Sequence, residues 1–283
     1  SNVVADTAAN LVANLKDANT KDALTLTVSG MASAKDLLTL VNKTSKNLVT
    51  TGVTTITGTA AEVKKVYDTL KTGVEGDELI TLTGTVKAVD ANYILGSTSK
   101  AVTATIAADT AANIVAGLGV VVAADADDAL NITVNGANAT VVELKAIDTQ
   151  TALKVKVDAA TVTATNYAQF EGIYVTNKNN FSSLGDENIT VTAVTINSAQ
   201  ADIVAKATSK IAKANITNES AASVVTNLKN ANAKDAFTIT LAAGTASAKD
   251  LLTLDSKTSI AVNAAAVTAI TRSEERRVGK ECL

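Results

Sequence analysis

The sequence lacks the residue types on which most enzymes, metal sites and disulfide-stabilised domains depend. It contains no His and no Pro, and its one Cys is Cys282. The lack of His removes the commonest general base and metal ligand. A single Cys forms no intramolecular disulfide, and thiolate chemistry is excluded from all residues before it. We therefore expect no enzyme active site, no cofactor and no metal ligands.

Charge and hydropathy argue against two classes of partner. The formal net charge is −3 and the isoelectric point is about 5.1. Lys residues are scattered and often adjoin an Asp, as in Lys21-Asp22, so the sequence predicts no basic face for nucleic acid. The most apolar window, residues 114–124, is too short to cross a bilayer. We expect neither a nucleic-acid partner nor a membrane span.

Internal repeats dominate the sequence. The stretch Ala32–Leu40 returns letter for letter at Ala246–Leu254, and Asp6–Ala13 returns almost unchanged at Asp109–Ala116. A catalytic motif is rarely duplicated in one chain, whereas structural units that stack on their neighbours are repeated by necessity. The repeats predict one elongated body over residues 1–271. Its long repeats are residues 6–108, residues 109–218 and a partial third at residues 219–271.

The C-terminal residues 272–283 break the repeat pattern. They contain every Arg of the chain and its only Cys. Their sequence resembles the in-frame translation of a common short-read sequencing adapter, so we interpret them as a non-native tail; the alternative is a genuine basic tail. The first residue, Ser1, is not Met, which suggests a reading frame cut at both ends. Cut ends would expose strand edges, so we expect self-association of residues 1–271.

Helix-like and strand-like segments alternate along the chain. Leu24–Val28 alternates apolar and polar residues, as a half-buried strand does. Helix starts are indicated by Ser or Thr with an acid three residues later, at Ser33, Thr59, Thr140 and Ser247. Further strands are expected at Val53–Thr57, Leu79–Thr83, Val102–Ile106, Leu130–Val134, Thr161–Thr165, Ile189–Val194, Ala214–Thr217, Phe237–Leu241 and Val267–Thr271.

The strand spacing predicts the fold class. Strands recur about every 25 residues, which is the length of one strand, one short helix and two turns. The sequence therefore predicts an α/β repeat solenoid of about ten strand–helix coils with a parallel sheet. The alternative is a string of tandem β-rich, sandwich-like modules. In the solenoid, Leu24, Leu26 and Val28 would face the helices while Thr25 and Thr27 face outward.

Outward threonines form the first candidate site. An array of hydroxyl and methyl groups on a flat sheet face could bind ice or a polysaccharide. The simpler interpretation, which we favour, is that Thr suits an exposed strand position. The threonines are Thr25, Thr27, Thr55, Thr57, Thr81, Thr83, Thr103, Thr105, Thr133, Thr161, Thr163, Thr190, Thr192, Thr238 and Thr240.

Acidic turns form the second candidate site. Asp125, Asp127 and Asp128 lie close together in the sequence, and Gly-Asp-Glu occurs at 76–78 and again at 185–187. Carboxylates at alternate loop positions can bind Ca²⁺, which needs six to eight oxygen ligands. The first cluster is confined to one repeat and the other turns hold two acids each. We therefore favour solvated turns over calcium sites.

Two segments carry a resemblance to a known class of protein. Val53–Val63, Val-Thr-Thr-Ile-Thr-Gly-Thr-Ala-Ala-Glu-Val, is followed by the turn and strand Gly76–Thr83, Gly-Asp-Glu-Leu-Ile-Thr-Leu-Thr. This pairing resembles tandem repeats of very large cyanobacterial and marine bacterial surface proteins of the adhesin type. The resemblance implies an extracellular or cell-surface segment that is structural or adhesive and not enzymatic, with neighbouring repeats and cell-surface polysaccharide as partners. The alternative function is a carbohydrate- or ice-binding module.

Overall fold

The computed structural model describes residues 1–70, 74–119, 127–192 and 195–272, which have a mixed α/β fold. A π-helix, Gly172–Thr176, continues α7, and a 3-10 turn follows at Lys178–Asn180. The α-helices are α1 (Ala8–Asn14), α2 (Ala34–Val41), α3 (Ala60–Thr69), α4 (Ala88–Leu95), α5 (Ala111–Leu118), α6 (Val141–Asp148), α7 (Tyr167–Glu171), α8 (Ser198–Lys206), α9 (Ala221–Asn227) and α10 (Ala248–Asp255).

The predicted strands are confirmed. Each overlaps an observed strand, although residues 193 and 194 of the predicted Ile189–Val194 lie outside the described residues. The strands are β1 (Thr27–Ser33), β2 (Val49–Gly58), β3 (Leu79–Val86), β4 (Val102–Ile106), β5 (Asp109–Thr110), β6 (Ala129–Asn131), β7 (Thr133–Asn135), β8 (Ala139–Thr140), β9 (Val155–Val157), β10 (Thr161–Ala164), β11 (Phe181–Ser182), β12 (Asn188–Val191), β13 (Ala212–Lys213), β14 (Asn215–Glu219), β15 (Thr238–Leu241), β16 (Gly244–Ser247) and β17 (Val267–Thr271).

All strand pairs in the described ranges are parallel. Parallel neighbours need a crossover connection, and the short helices supply it. The alternative of sandwich-like modules is therefore wrong, because such modules are built from antiparallel sheets.

The chain divides into two compact units. The first comprises Ser1–Gly136, Glu143–Val157 and Asn179–Ser182, and the second comprises Ala137–Val142, Asp158–Lys178 and the residues from Ser183 onward. In the first unit the strand orders are β1-β2-β3-β4-β6 and β11-β9-β7-β5. In the second unit they are β13-β12-β10-β8, β14-β15 and β16-β17. The single body over residues 1–271 stays a prediction.

Local capping explains where the helices begin. The Thr59 hydroxyl accepts the Glu62 backbone N–H at 3.3 Å, and the Glu62 carboxylate accepts the Thr59 N–H at 3.0 Å, which completes a capping box. Ser33 and Ser247 cap α2 and α10 through their hydroxyl oxygens. Helices of seven to ten residues are marginal in isolation, so they depend on burial of one apolar face.

The core lies between one face of each sheet and the apolar sides of the helices. Leu26 and Val28 are fully buried while Thr25 and Thr27 are half-exposed, so the predicted alternation is confirmed from Thr25 to Val28. Leu24, which was predicted to face the helices, precedes β1 and is half-exposed. Other fully buried strand residues include Ile56, Ile80, Val102 and Leu130, and their helical partners include Leu37, Leu40, Val63, Val66 and Ile94. None of the described helices combines the length and apolar character needed to span a bilayer.

Candidate functional site

The predicted threonine face is solvent-accessible but interrupted. Every one of the predicted outward threonines is exposed or half-exposed. In the first unit Thr57, Thr81 and Thr103 stand side by side in register, between Ser33 and Ala129. In the second unit the row is Thr140, Thr163 and Thr190, and Lys213 follows it.

The remaining predicted threonines do not extend these rows. Thr55 lies between Met31 and Leu79, Thr27 pairs with Val49, and Thr161 pairs with Asn188. A continuous ladder is therefore a wrong prediction, because bulges such as the one beside Gly30 shift the register between strands. The described residues offer two separate rows of three threonines and two in-register pairs, Thr85 with Thr105 and Thr217 with Thr240.

A groove lies beside the first row. It has a volume of about 500 Å³ and is open to solvent. Thr51, Val53 and Thr54 of β2 and Leu79 of β3 form part of its lining. Asp77 and Lys100 also line it, so the groove offers hydroxyl, carboxylate and ammonium groups beside apolar surface.

One acid in each acidic turn is buried, contrary to the sequence-based interpretation, whereas Asp77, Asp127 and Asp186 are exposed. Glu78 is 1% exposed, and Asp128 and Glu187 are each 2% exposed. Asp125 lies outside the described residues. No group of three or more acidic, His or Cys side chains suited to a metal ion occurs in the described part of the chain. The buried acids instead bind backbone and Tyr groups of their own unit.

Two of the buried acids bind the preceding strand directly. Asp128 Oδ1 accepts the backbone N–H of Val102 at 2.7 Å, and Asp235 Oδ1 accepts that of Ala212 at 2.9 Å. Asp235 also accepts the N–H of Asn232 in its own turn at 2.9 Å. These carboxylates therefore satisfy N–H groups at the starts of neighbouring strands, where a buried unpaired donor would be costly.

The other two buried acids are Glu residues and each binds a Tyr. The Tyr67 hydroxyl donates to Glu78 Oε2 at 3.2 Å, and the Tyr174 hydroxyl donates to Glu187 Oε1. Burial, followed by the charge of the facing Glu, raises the pKa of both Tyr hydroxyls well above the usual value. Tyr174 also stacks on Phe170 at 5.0 Å between ring centroids.

A set of threonines that the sequence analysis did not single out completes the arrangement. Each lies in the turn after a helix, and its hydroxyl donates to a carbonyl at the start of the preceding strand at 2.5 to 2.8 Å. Each also accepts the N–H two residues later. We name them the clamp threonines: Thr44, Thr98, Thr151, Thr208 and Thr258.

The residue after each clamp threonine adds a backbone hydrogen bond. The residue after the clamp threonine donates its N–H to the acidic turn of the preceding strand, as Ser45 does to the Asp22 carbonyl at 2.8 Å and Ser99 to the Gly76 carbonyl at 2.7 Å. The same bond occurs after Thr151, Thr208 and Thr258. The Thr-Ser-Lys triplets that begin at Thr44, Thr98 and Thr208 were a visible signal, whereas the residues after Thr151 and Thr258 differ from that triplet.

We expect Thr98→Val to lower the free energy of unfolding by about 1–3 kcal/mol, because it leaves the Glu78 carbonyl and the Lys100 N–H without their partner at nearly constant volume. Urea unfolding measures the change. The matched control is Thr81→Val on the exposed row, for which about 0.5 kcal/mol or less is expected. Equal losses at both positions would contradict a clamp role for Thr98.

We expect the Tyr–Glu pairs to make stability fall at alkaline pH. A Tyr whose pKa is raised on folding holds its proton while the unfolded chain loses it, so stability declines above about pH 10. The slope is about 1.4 kcal/mol per pH unit for each such Tyr. Tyr174→Phe should remove one such contribution in urea unfolding at pH 9 to 11, whatever its effect at pH 7.

Tyr93→Phe is the control for the alkaline series, since Tyr93 is 38% exposed and should change the slope less. An unchanged slope in Tyr174→Phe would mean that this hydroxyl does not stay protonated in the folded chain.

Comparison of the chain with protein-family models, with curated proteins and with solved structures gives no match.

Proposed function

We propose that this chain is a non-enzymatic repeat segment with a structural or adhesive role in a large bacterial surface or secreted protein. The observation that carries the proposal is the recurrence of one clamp at positions 44, 98, 151, 208 and 258. A reaction centre needs an arrangement of groups unlike the rest of the chain. Here the clamp threonines and their turns form the most extensive polar arrangement. It is repeated along the chain, and its polar groups hydrogen-bond to one another.

The proposed architecture is a solenoid of about ten strand–helix coils with a parallel sheet. Three features support it: the parallel pairing, the helices between successive strands, and clamps that join each acidic turn to the next turn along the chain. In such an architecture each coil buries its apolar face only against its neighbours, so each added coil makes the body longer.

The proposed location is extracellular or at the cell surface. The resemblance of Val53–Val63 and Gly76–Thr83 to surface-protein repeats supports it. The proposed partners are neighbouring repeats, further copies of the chain and cell-surface polysaccharide, and not nucleic acid. The scarcity of catalytic residue types supports the absence of enzymatic activity.

Removal of one clamp period tests the repeat architecture. Deleting residues 45–98 joins Thr44 to Ser99, so that the clamp of Thr44 and the next acidic turn at Asp128 are both retained. We expect the shortened chain to fold, with mean residue ellipticity within about 10% of the full chain and a cooperative urea transition, because each interface is local.

The control deletion removes residues 44–77, which takes out one strand–helix unit and its clamp threonine and joins Lys43 to Glu78. We expect this chain to lose its cooperative transition, because two acidic turns then adjoin without a clamp. If the deletion of residues 45–98 unfolds the chain as completely as the control does, the architecture is not modular and the proposal fails.

The second candidate function is binding of a carbohydrate or ice surface. Two observations favour it: the in-register row of Thr57, Thr81 and Thr103, and the open groove on the same two strands. Neighbouring strands lie about 4.8 Å apart, so the row presents hydroxyl and methyl groups at a regular interval that a repetitive polymer or lattice could match.

Thr81→Lys tests the second candidate, because Thr81 is the central and exposed member of its row. A bulky charged group there should weaken binding to insoluble polysaccharide, or suppression of ice growth, by about tenfold or more, which corresponds to about 1.4 kcal/mol. Circular dichroism should stay unchanged. Thr20→Lys, in an exposed turn, adds the same charge elsewhere. Binding that survives Thr81→Lys would remove this row as the site.

A further inference from the structure

Two parts of the chain share a sequence and differ in how well their side chains are covered. The segments Ala32–Leu40 and Ala246–Leu254 are identical. The strands that follow them, Val53–Thr57 and Val267–Thr271, differ only where Thr55 is replaced by Ala269. The second copy therefore serves as an internal control for the first.

The difference in burial is confined to one side. Leu40 and Leu254 are both fully buried, so the shared inner face is formed in both copies. Ile56 is fully buried, whereas its equivalent Ile270 is 65% exposed. On the helix, Leu38 is half-exposed and its equivalent Leu252 is 74% exposed.

In the first copy the covering element is known. Strand β2 pairs with β3, which brings Ile80 beside Ile56, and helix α3 packs on α2. Helix α3 turns Val63 and Val66 inward, where both are fully buried. The pKa of Glu62 is lowered mainly by hydrogen bonds from Thr59 and further by the charge of Lys35 on α2, so a charge attraction between the two helices accompanies the apolar contact.

In the second copy the same surface stands open within the part of the chain that the structure describes. Strand β17 has a neighbour on one side, β16, and α10 packs on α9. An open groove of about 440 Å³ runs along α10, lined by Ala248, Lys249, Leu252, Thr253 and Ser256 together with Arg272. Lys249 is the equivalent of Lys35, so the basic partner of a helix-capping Glu is also present.

We propose that the face formed by α10 and β17 is a docking surface for one further strand–helix unit of the α3–β3 type. The occupant would add its strand parallel to β17 beside Ile270 and lay its helix on α10 over Leu252. A Glu in the first turn of that helix would face Lys249. This inference rests on the proposed function, since the source of the unit is the next repeat of the same surface protein.

The experiment supplies that unit. Residues 272–283 are replaced by a second copy of residues 58–108, so that Thr271 is followed by Gly58 as Thr57 is. Leu252→Cys then carries the only thiol, and the reference is the full chain with Cys282→Ser and Leu252→Cys. We expect the rate of thiol labelling at position 252 to fall by about tenfold or more when the unit is present.

Two matched controls accompany the experiment. Leu38→Cys, in the covered copy, should change its labelling rate less than about twofold when the unit is added. An added unit carrying Val63→Asp and Val66→Asp in its copy of α3 cannot bury its helix, so it should leave position 252 reactive.

Two outcomes overturn the proposal. Unchanged labelling at position 252 with the intact added unit means that the face does not accept it. Protection of position 252 in the reference chain that grows with protein concentration means that the occupant is a second copy of the chain. Either result leaves the test of modular architecture by deletion of residues 45–98 intact, so the two failures are distinguishable.

Discussion

The structure depends on how the turns between neighbouring strand–helix units satisfy their backbone groups. The crossover that joins two parallel strands has a turn at each of its ends, and the N–H and C=O groups of these turns lie close to the apolar core. Each clamp threonine satisfies two of these backbone groups with one hydroxyl, which donates a hydrogen bond to a carbonyl of the preceding acidic turn and accepts one from an N–H of its own turn. Burying such a group costs little when every polar atom is paired and several kcal/mol when it is not. The turn geometry is therefore held within narrow limits.

Much of the fold could be predicted because it follows from local patterns. The alternation from Thr25 to Val28 and the Thr59–Glu62 box depend on residues near one another in sequence, and both were confirmed. The extent of the threonine ladder could not be predicted in the same way. Register between strands depends on bulges at positions such as Gly30, and a shift of one residue moves a side chain to another row. Alternation alone carries no information about which threonine stands beside which.

The candidate acidic sites were misread for a different reason. Asp and Glu in Gly-rich turns are usually solvated, and nothing in the local sequence of Gly76-Asp77-Glu78 indicates that Glu78 turns inward while Asp77 stays exposed. The partner that makes burial tolerable is Tyr67, which lies on the preceding helix. Its hydroxyl and the turn N–H groups replace the water that the carboxylate gives up. The decisive contact is distant in sequence, so the turn alone could not predict it.

The two kinds of acidic turn explain why the amino-acid sequence repeats over a longer interval than the structural unit does. Asp and Glu alternate along the turns at positions 22, 78, 128, 187 and 235, while the clamp threonine follows each of them. Asp128 and Asp235 each reach a neighbouring strand N–H directly, whereas the Glu78 and Glu187 turns are each paired with a Tyr on the preceding helix. The structural unit therefore repeats about every 53 residues, but its sequence returns only after two units, when the same kind of acid recurs. Two of the four Tyr residues bind the Glu turns, one in each of the two long repeats, so each Tyr–Glu pair recurs with the longer period.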